Sequence, residues 1–305
     1  MKIAILGAGA MGSLYGGFLA EGGNEVWLLD VWREHIDAIN NNGLIIEGLS
    51  GHRIIKNIKA TSNPFDIGIA DLVIVFVKST ITDIVISQNL DIFDKNTIVL
   101  TLQNGLGNVE KINKLINKKN IIAGVTAHGA TLISPGNIFH AGIGATNIGE
   151  LNGGFSDRIR VISNIMNTAG LETTVSDNVI GLIWGKLLVN VGINALTAIT
   201  KLKNGQLIDN AETEELLETA VNEAWNIVKA KGILLSYDNP IIYTKQVCKA
   251  TAQNFSSMLQ DITNCRKTEI DMINGAIVRE GKKLGIETPV NITLTNLVKS
   301  IEKNY

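Results

Sequence analysis

Residues 2–30 constrain the fold more than any other stretch. Lys2-Ile-Ala-Ile-Leu6 is a short apolar run that stops at Gly7-Ala8-Gly9-Ala10-Met11-Gly12. A helix pattern follows through about Ala20, closes at Gly22-Gly23, and gives way to a second strand, Glu25-Val-Trp-Leu-Leu-Asp30. Strand, G-x-G-x-x-G, helix, strand, acid is the order of a dinucleotide-binding unit. Gly7 allows the tight turn, Gly9 lets the backbone approach a pyrophosphate, and Gly12 lets the helix pack close to the strand. The helix N-terminus offers N–H groups to the anion. Gly7, Ala8, Gly9, Ala10, Met11 and Gly12 are therefore expected to bind the cofactor. Asp30 is placed to accept from the adenosine ribose hydroxyls and to repel a 2′-phosphate, which favours NAD(H). A plain surface acid at a strand end is the alternative. Arg33 lies three residues on and can reach a 2′-phosphate, so NADP(H) stays open.

More strand signals follow. Asp71–Val77 is a continuous apolar run, as in a parallel strand covered on both faces, and it ends in Lys78. Thr97–Leu102 ends in Gln103-Asn104-Gly105, and Ile121–Val125 leads into Thr126-Ala-His128-Gly-Ala130. With helix-like segments between them, these predict an α/β Rossmann domain, a doubly wound and mostly parallel sheet, over residues 1–177. Ligands of such sheets sit at the carboxyl ends of strands. Lys78, Asn104 and Ala130 stand at that edge. For Lys78 and His128, a solvated strand-end residue is an equal reading. Ile138–Gly149 reads as a strand pair, Asp157–Ala169 as a helix and Leu171–Val175 as a strand.

Beyond Ser176-Asp-Asn178 the strand signals stop. Apolar periodicity runs through Ile180–Thr200, Ala211–Lys231, Asn239–Ala252, Ser257–Leu284 and Val290–Glu302, so residues 178–305 are expected to form an all-α domain. In Ile183–Thr200 the polar exceptions Lys186, Asn190 and Asn194 sit at i, i+4 and i+8 on one narrow stripe, and the rest of the circumference is hydrophobic. The stripe reads as one wall of a polar pocket, or as the solvent face of an amphipathic helix. A membrane span is rejected because the three polar residues lie through the middle of the run. Two further places are candidates to face the pocket. Asn254-Phe-Ser-Ser257-Met-Leu-Gln260 precedes a helix, and Ser257 with Gln260 matches a capping box. Glu269 shares a predicted helix face with Ile262, Cys265, Met272, Ile273 and Ala276. A carboxylate there wants a partner such as Lys186, or else reaches water from the rim.

The formal net charge is -2 with no basic block, which removes nucleic acid and anionic membranes as expected partners. Hydrophobic content of 45% with 18% charged residues fits a folded soluble chain. Cys248 and Cys265 stand in no metal or redox spacing, so no metal site is expected and both read as buried, inert thiols. The chain opens directly on a strand, which makes the cytoplasm the expected compartment.

These pieces together resemble the ketopantoate reductase (2-dehydropantoate 2-reductase) family over essentially the full length. The marks are Gly7–Gly12, Gln103-Asn104-Gly105, Lys186-Leu-Leu-Val-Asn190-Val-Gly-Ile-Asn194, Asn204, Asn254–Asp261 and Thr268-Glu269-Ile-Asp271. The resemblance implies a Rossmann domain followed by a helical domain like that of 6-phosphogluconate dehydrogenase. It implies reduction of 2-dehydropantoate to (R)-pantoate, on the pantothenate and coenzyme A route, by NAD(P)H. Lys186 matches the family's proton donor, with Glu269 beside it. Asn190, Asn194, Asn204 and Ser257 match substrate-binding positions, with Asn254 in the same run. Asn104, Ala130 and Glu269 match positions near the nicotinamide and substrate. The family norm is NADP(H) with a basic residue near the end of the second strand, where this chain has Asp30. Members with an acid there resemble NAD-dependent D-2-hydroxyacid (D-mandelate-like) dehydrogenases acting on bulky 2-keto acids. A small 2-keto acid is thus the expected partner, and a homodimer is a candidate assembly. The competing class is a non-catalytic dinucleotide-sensing protein, which explains Gly7–Asp30 but not Lys186, the asparagines and Glu269.

Overall fold

The computed structural model describes residues 1–305. The chain folds as two compact units, residues 1–103 with 108–179 and residues 104–107 with 180–305. The short Asn104–Gly107 segment, expected in the first domain, thus belongs to the second unit.

In the first unit the elements run β1 (Lys2–Leu6), α1 (Ala10–Glu21), β2 (Glu25–Leu29), α2 (Arg33–Asn42), β3 (Leu44–Gly48), β4 (Arg53–Ile55), β5 (Ile58–Thr61) and β6 (Leu72–Val75). They continue as α3 (Thr82–Gln88), β7 (Ile98–Thr101), α4 (Asn108–Asn113), β8 (Ile121–Thr126), β9 (Gly129–Ser134), β10 (Asn137–Gly142), β11 (Thr146–Glu150), α5 (Asp157–Thr168) and β12 (Thr173–Val175). Eight strands form one sheet in the order β12-β11-β8-β7-β6-β1-β2-β5. Neighbours are parallel throughout except β11 against β8. Chain order reverses direction between β1 and β6, and such a switch point opens a crevice at the strand ends. Ile3 and Ile5 face a core with Leu14, Tyr15 and Leu19 of α1, while Ala4 and Leu6 face a second core with Val73, Val75 and Val99. Burial on both faces is why β6 has no polar alternation.

A second sheet, β4-β3-β10-β9, was not foreseen. The expected Ile138–Gly149 strand pair does not form. β10 lies between β3 and β9, whereas β11 lies between β12 and β8. Local alternation marks a strand but does not choose its partner, and the partner of β10 comes from residues 45–48, far back in the chain. Ala130, expected at the end of β8, instead lies within β9 opposite His140.

The second unit contains α6 (Val179–Thr200), α7 (Ala211–Ala230), α8 (Pro240–Ala250), α9 (Ser257–Thr263), α10 (Asn274–Leu284) and α11 (Pro289–Glu302). By length and composition alone α6 is able to cross a membrane, with 22 residues and a mean hydropathy of 1.7. In the structure it is mostly buried, and Leu187, Leu188, Val191, Ala195 and Leu196 share a core with Leu217, Ala220, Val221 and Ala224 of α7.

The single helix expected over Ser257–Leu284 is broken. α9 ends at Thr263, Cys265 takes φ 50, and a 3-10 turn covers Ile270–Met272 before α10 begins. Thr263 and Asn264 hydrogen-bond back to the carbonyls of Leu259 and Gln260, and the Thr268 N–H and hydroxyl both donate to Glu302 Oε1. Side chains that bind backbone or distant carboxylates in this way compete with helix continuation. Cys248 is buried, and burial pushes its thiol up to about 11. Cys265 is exposed, contrary to the buried thiol expected.

Glu223 of α7 caps a helix other than its own. Its carboxylate accepts from the N–H groups of Val290 and Asn291 at 2.8 and 3.0 Å, in the first turn of α11, and from Asn291 Nδ2 at 2.7 Å. The N-cap residue of α11, Thr288, makes no side-chain cap of its own. Negative charge at a helix N-terminus is favourable, and the buried donors have no water to fall back on. Glu223→Ala is expected to lower unfolding free energy by about 2–4 kcal/mol, with Glu223→Gln recovering part of it. Urea denaturation measures both, and an unchanged midpoint for Glu223→Ala would show that the α11 donors find other acceptors.

Candidate functional site

In the first unit the glycine-rich turn is shaped by close approach. Gly7 takes φ 96, and a Cβ on Gly12 would lie 1.9 Å from the Gly7 carbonyl oxygen. Any side chain at Gly12 would push α1 off β1. A Cβ at Gly9, by contrast, meets nothing within 4 Å, so the turn is open on that side. Gly9 is the N-cap of α1, no side chain caps the helix, and its first turn, which contains Ala10, Met11 and Gly12, holds no acid. The N–H groups there are not taken by a side-chain anion, which suits a pyrophosphate.

Asp30 follows β2 and is held in one orientation. Oδ2 accepts from Ala8 N–H at 2.6 Å, and Oδ1 accepts from Val31 and Trp32 N–H at 2.8 and 3.1 Å. The acid is therefore more than a solvated strand end, because it ties the second strand to the turn. Arg33, exposed, opens α2. Lys78 lies just beyond β6, the strand that neighbours β1 across the switch point. His128 is not solvated: it is partly buried, with Nδ1 3.1 Å from His140 Nε2, and burial, with the His140 charge second, pushes it down to about 4.

The second unit gathers a different set. Lys186, Asn190 and Asn194 lie along α6, with Lys186 and Asn190 half-buried and Asn194 buried. Burial lowers the Lys186 ammonium to about 8, and the Glu269 carboxylate opposes that shift. Glu269 is 7% exposed and is the residue before the 3-10 turn, not a member of a long helix face. The helix-face argument for it fails, and its carboxylate acts on the Lys186 charge from its place before the turn. Asn104 joins them, with Nδ2 donating to Glu269 Oε2 at 3.5 Å. The Asn104 loop is pinned by Leu106 N–H donating to Met272 O at 2.9 Å, and a Cβ on Gly105 would lie 2.4 Å from that same oxygen. Only glycine lets the loop come this close.

The third group is Asn204, Asn254 and Ser257. Asn204 N–H donates to Asn254 O at 3.1 Å and its Nδ2 to Thr251 Oγ1 at 3.0 Å, so it anchors the segment before α9. The expected capping role of Ser257 belongs to its neighbour. Ser256 is the N-cap, accepting from Leu259 N–H at 3.0 Å, and Gln260 donates to Phe255 O instead. Two adjacent serines made the cap register ambiguous, and burial of Ser256 decided it. Ser257 is exposed, with its hydroxyl outside the cap. Thr197 was missed by sequence reasoning. Its hydroxyl lies 2.7 Å from Ser256 Oγ and ties α9 to α6. Continuing the 186-190-194 stripe by three residues would have found it.

Models of the family described as ketopantoate reductase PanE/ApbA match residues 3–153, and those of its C-terminal part match residues 178–302. The 2-dehydropantoate 2-reductase of Pyrococcus horikoshii is 42% identical over 302 residues, covering 99% of this chain and 98% of that protein. That of Halobacterium salinarum is 36% identical over 304 residues, covering all of both chains. Among solved structures, a PanE/ApbA family ketopantoate reductase from Ralstonia eutropha is 34% identical with a TM-score of 0.93, covering 100% of this chain and 99% of that one. D-mandelate dehydrogenase with NADH and anilino(oxo)acetate is 33% identical at the same TM-score and the same coverage.

Proposed function

We propose, from the premise that this chain belongs to the ketopantoate reductase PanE/ApbA family, that it reduces 2-dehydropantoate to (R)-pantoate with a nicotinamide dinucleotide. The observation that carries the reading is the grouping of Lys186, Glu269 and Asn104 in one unit of a chain whose full-length relatives are 2-dehydropantoate 2-reductases. The open turn at Gly9, the uncapped start of α1 and the fixed Asp30 carboxylate fit a dinucleotide. When bound, the nicotinamide supplies a hydride to the keto carbon. Lys186 then does the protein's part, stabilising the negative charge that develops on the carbonyl oxygen and donating its proton there. Glu269 keeps that ammonium charged in a desolvated place, and Asn104 orients Glu269. Asn190 and Asn194 orient the keto acid, Ser257 hydrogen-bonds its carboxylate, and Asn204 and Asn254 hold the segment that presents Ser257. Lys78 and Ala130 border the cofactor.

A pH dependence follows from this assignment. The donor must be protonated, so reduction is expected to proceed fully below the Lys186 pKa and to fall as pH rises through about 8. Glu269→Gln removes the influence that raises this pKa, so the fall should move to lower pH. A pH–kcat profile with an unmoved alkaline limb in that variant would separate Glu269 from Lys186.

Asp30 favours a second reading, an NADH-dependent D-2-hydroxyacid dehydrogenase acting on another bulky keto acid, as in the D-mandelate dehydrogenase neighbour bound to NADH. In either case Asp30 favours NADH. The deciding experiment is oxidation of NADH and of NADPH with 2-dehydropantoate, phenylglyoxylate and 2-ketoisocaproate in parallel. Preference for 2-dehydropantoate is the expected result. Efficient turnover of the other two with 2-dehydropantoate poor would move the chain to the second reading, with Lys186 unaffected.

A further inference from the structure

Behind the glycine-rich turn lies a buried hydrogen-bond chain that no part of the proposed chemistry uses. His35 of α2 and Ser13 of α1 are both 0% exposed. His35 Nδ1 lies 3.0 Å from the N–H of Gly136, in the turn joining β9 to β10. That nitrogen must accept, so the neutral ring carries its proton on Nε2. Nε2 is 3.1 Å from Ser13 Oγ, and the Ser13 hydroxyl donates in turn to the Ala8 carbonyl at 2.8 Å. The directions are consistent, from imidazole N–H to hydroxyl oxygen and from hydroxyl to carbonyl. On the other side of Ala8, its own N–H donates to Asp30 Oδ2. The two peptide groups flanking Ala8 are thus each pinned, one by Asp30 and one by Ser13. The Ala8–Gly9 peptide, whose orientation sets where the Gly9 N–H points, is the one that His35 governs. The His35 ring also stacks on Trp32 at 5.1 Å and 7°, and Trp32 N–H donates to Asp30 Oδ1.

We propose that His35 is a positioning residue for the dinucleotide, acting through Ser13 on the Ala8–Gly9 peptide and through Trp32 on the Asp30 loop. The inference rests on the dinucleotide-binding part of the proposed function. Burial holds the ring below its ordinary pKa, against the opposing charge of Asp30 and a hydrogen bond to the Ala8 backbone, so the ring also meets Ala8 without passing through Ser13.

Two amide substitutions divide the ring's two duties. His35→Asn keeps an acceptor near the place of Nδ1, facing Gly136 N–H, and loses the donor to Ser13. His35→Gln extends an amide N–H to the place of Nε2 and keeps that donor. Both remove the aromatic stack and both are expected to cost stability. NADH affinity, read by quenching of protein fluorescence without any keto acid, should separate them. His35→Asn should weaken NADH about 5- to 20-fold, Ser13→Ala should weaken it severalfold but no more than that, and their combination should be no worse than His35→Asn alone, as expected for links of one buried network. His35→Gln, which keeps the donor to Ser13, should stay within about threefold of the wild-type chain, the loss that the stack alone accounts for. KM for NADH should follow these affinities while kcat at saturating NADH holds. Normal NADH affinity in His35→Asn and Ser13→Ala would overturn the proposal, as would equal weakening in all three variants in step with lost stability. A wild-type chain that binds neither NADH nor NADPH would overturn the functional reading itself, an outcome visible before any variant is made.

Discussion

Lys186→Ala is expected to lower kcat by at least about a hundredfold while leaving affinity for NADH or NADPH nearly intact, because removing a general acid typically costs about 10²–10⁴-fold. The split between kcat and cofactor affinity is the informative part. Lys186 belongs to the second unit, among Glu269 and Asn104, and the glycine-rich turn that fits the pyrophosphate belongs to the first. Truncation also leaves the Glu269 carboxylate, 7% exposed, without the cation that offsets its burial, so some loss of stability should accompany the loss of rate. Lys186→Met keeps the aliphatic stem without the charge and checks packing, and it should be as slow as Lys186→Ala. Single-turnover rates at saturating cofactor measure the effect. Near-normal turnover in either variant would remove Lys186 from the role.

Asp30→Ala carries the second large effect. A carboxylate that receives hydrogen bonds from ribose hydroxyls contributes about 1.5–3 kcal/mol, or roughly 10- to 100-fold in NADH affinity. The structure adds that the same carboxylate accepts from Ala8, Val31 and Trp32 N–H, so its removal also loosens the turn. Both losses weaken NADH. For NADPH the loss of the turn anchor is offset by removal of repulsion toward the 2′-phosphate, with Arg33 at the start of α2 to meet it. The expected result is a fall in the NADH-to-NADPH preference by about tenfold or more. Asp30→Asn keeps one acceptor oxygen but turns the other into an NH2 donor facing a backbone N–H, so it should shift the preference while still loosening one side of the turn. An unchanged ratio in both variants would show that Asp30 does not touch the ribose.

Periodicity and spacing alone made several things legible. The order strand, glycine turn, helix, strand, acid follows from local rules, since a turn of this geometry admits only glycine at positions 7 and 12 and a doubly covered strand favours apolar residues. The same holds for α6, whose helical period alone places Lys186, Asn190 and Asn194 on one stripe. The resemblance to the family rested on such runs, and the matching family models cover nearly the whole chain.

Other features were decided only by contacts distant in sequence. β10 takes its parallel neighbour from β3 rather than pairing with β11, because strand pairing is a tertiary choice that alternation cannot encode. In the break between α9 and α10, Thr268 meets Glu302, 34 residues away. Glu269 stands ahead of the 3-10 turn that follows that break, not on the helix face expected for it. The His35 chain needed Gly136, 101 residues on, to fix the tautomer. Local spacing was enough for the glycine turn, the covered strands, α6 and the family, because each is written in residues close together in the chain. Which polar groups meet was left to the tertiary structure, because a buried donor or acceptor is satisfied by whatever the fold brings within 3 Å of it, and chain order places no limit on where that partner comes from.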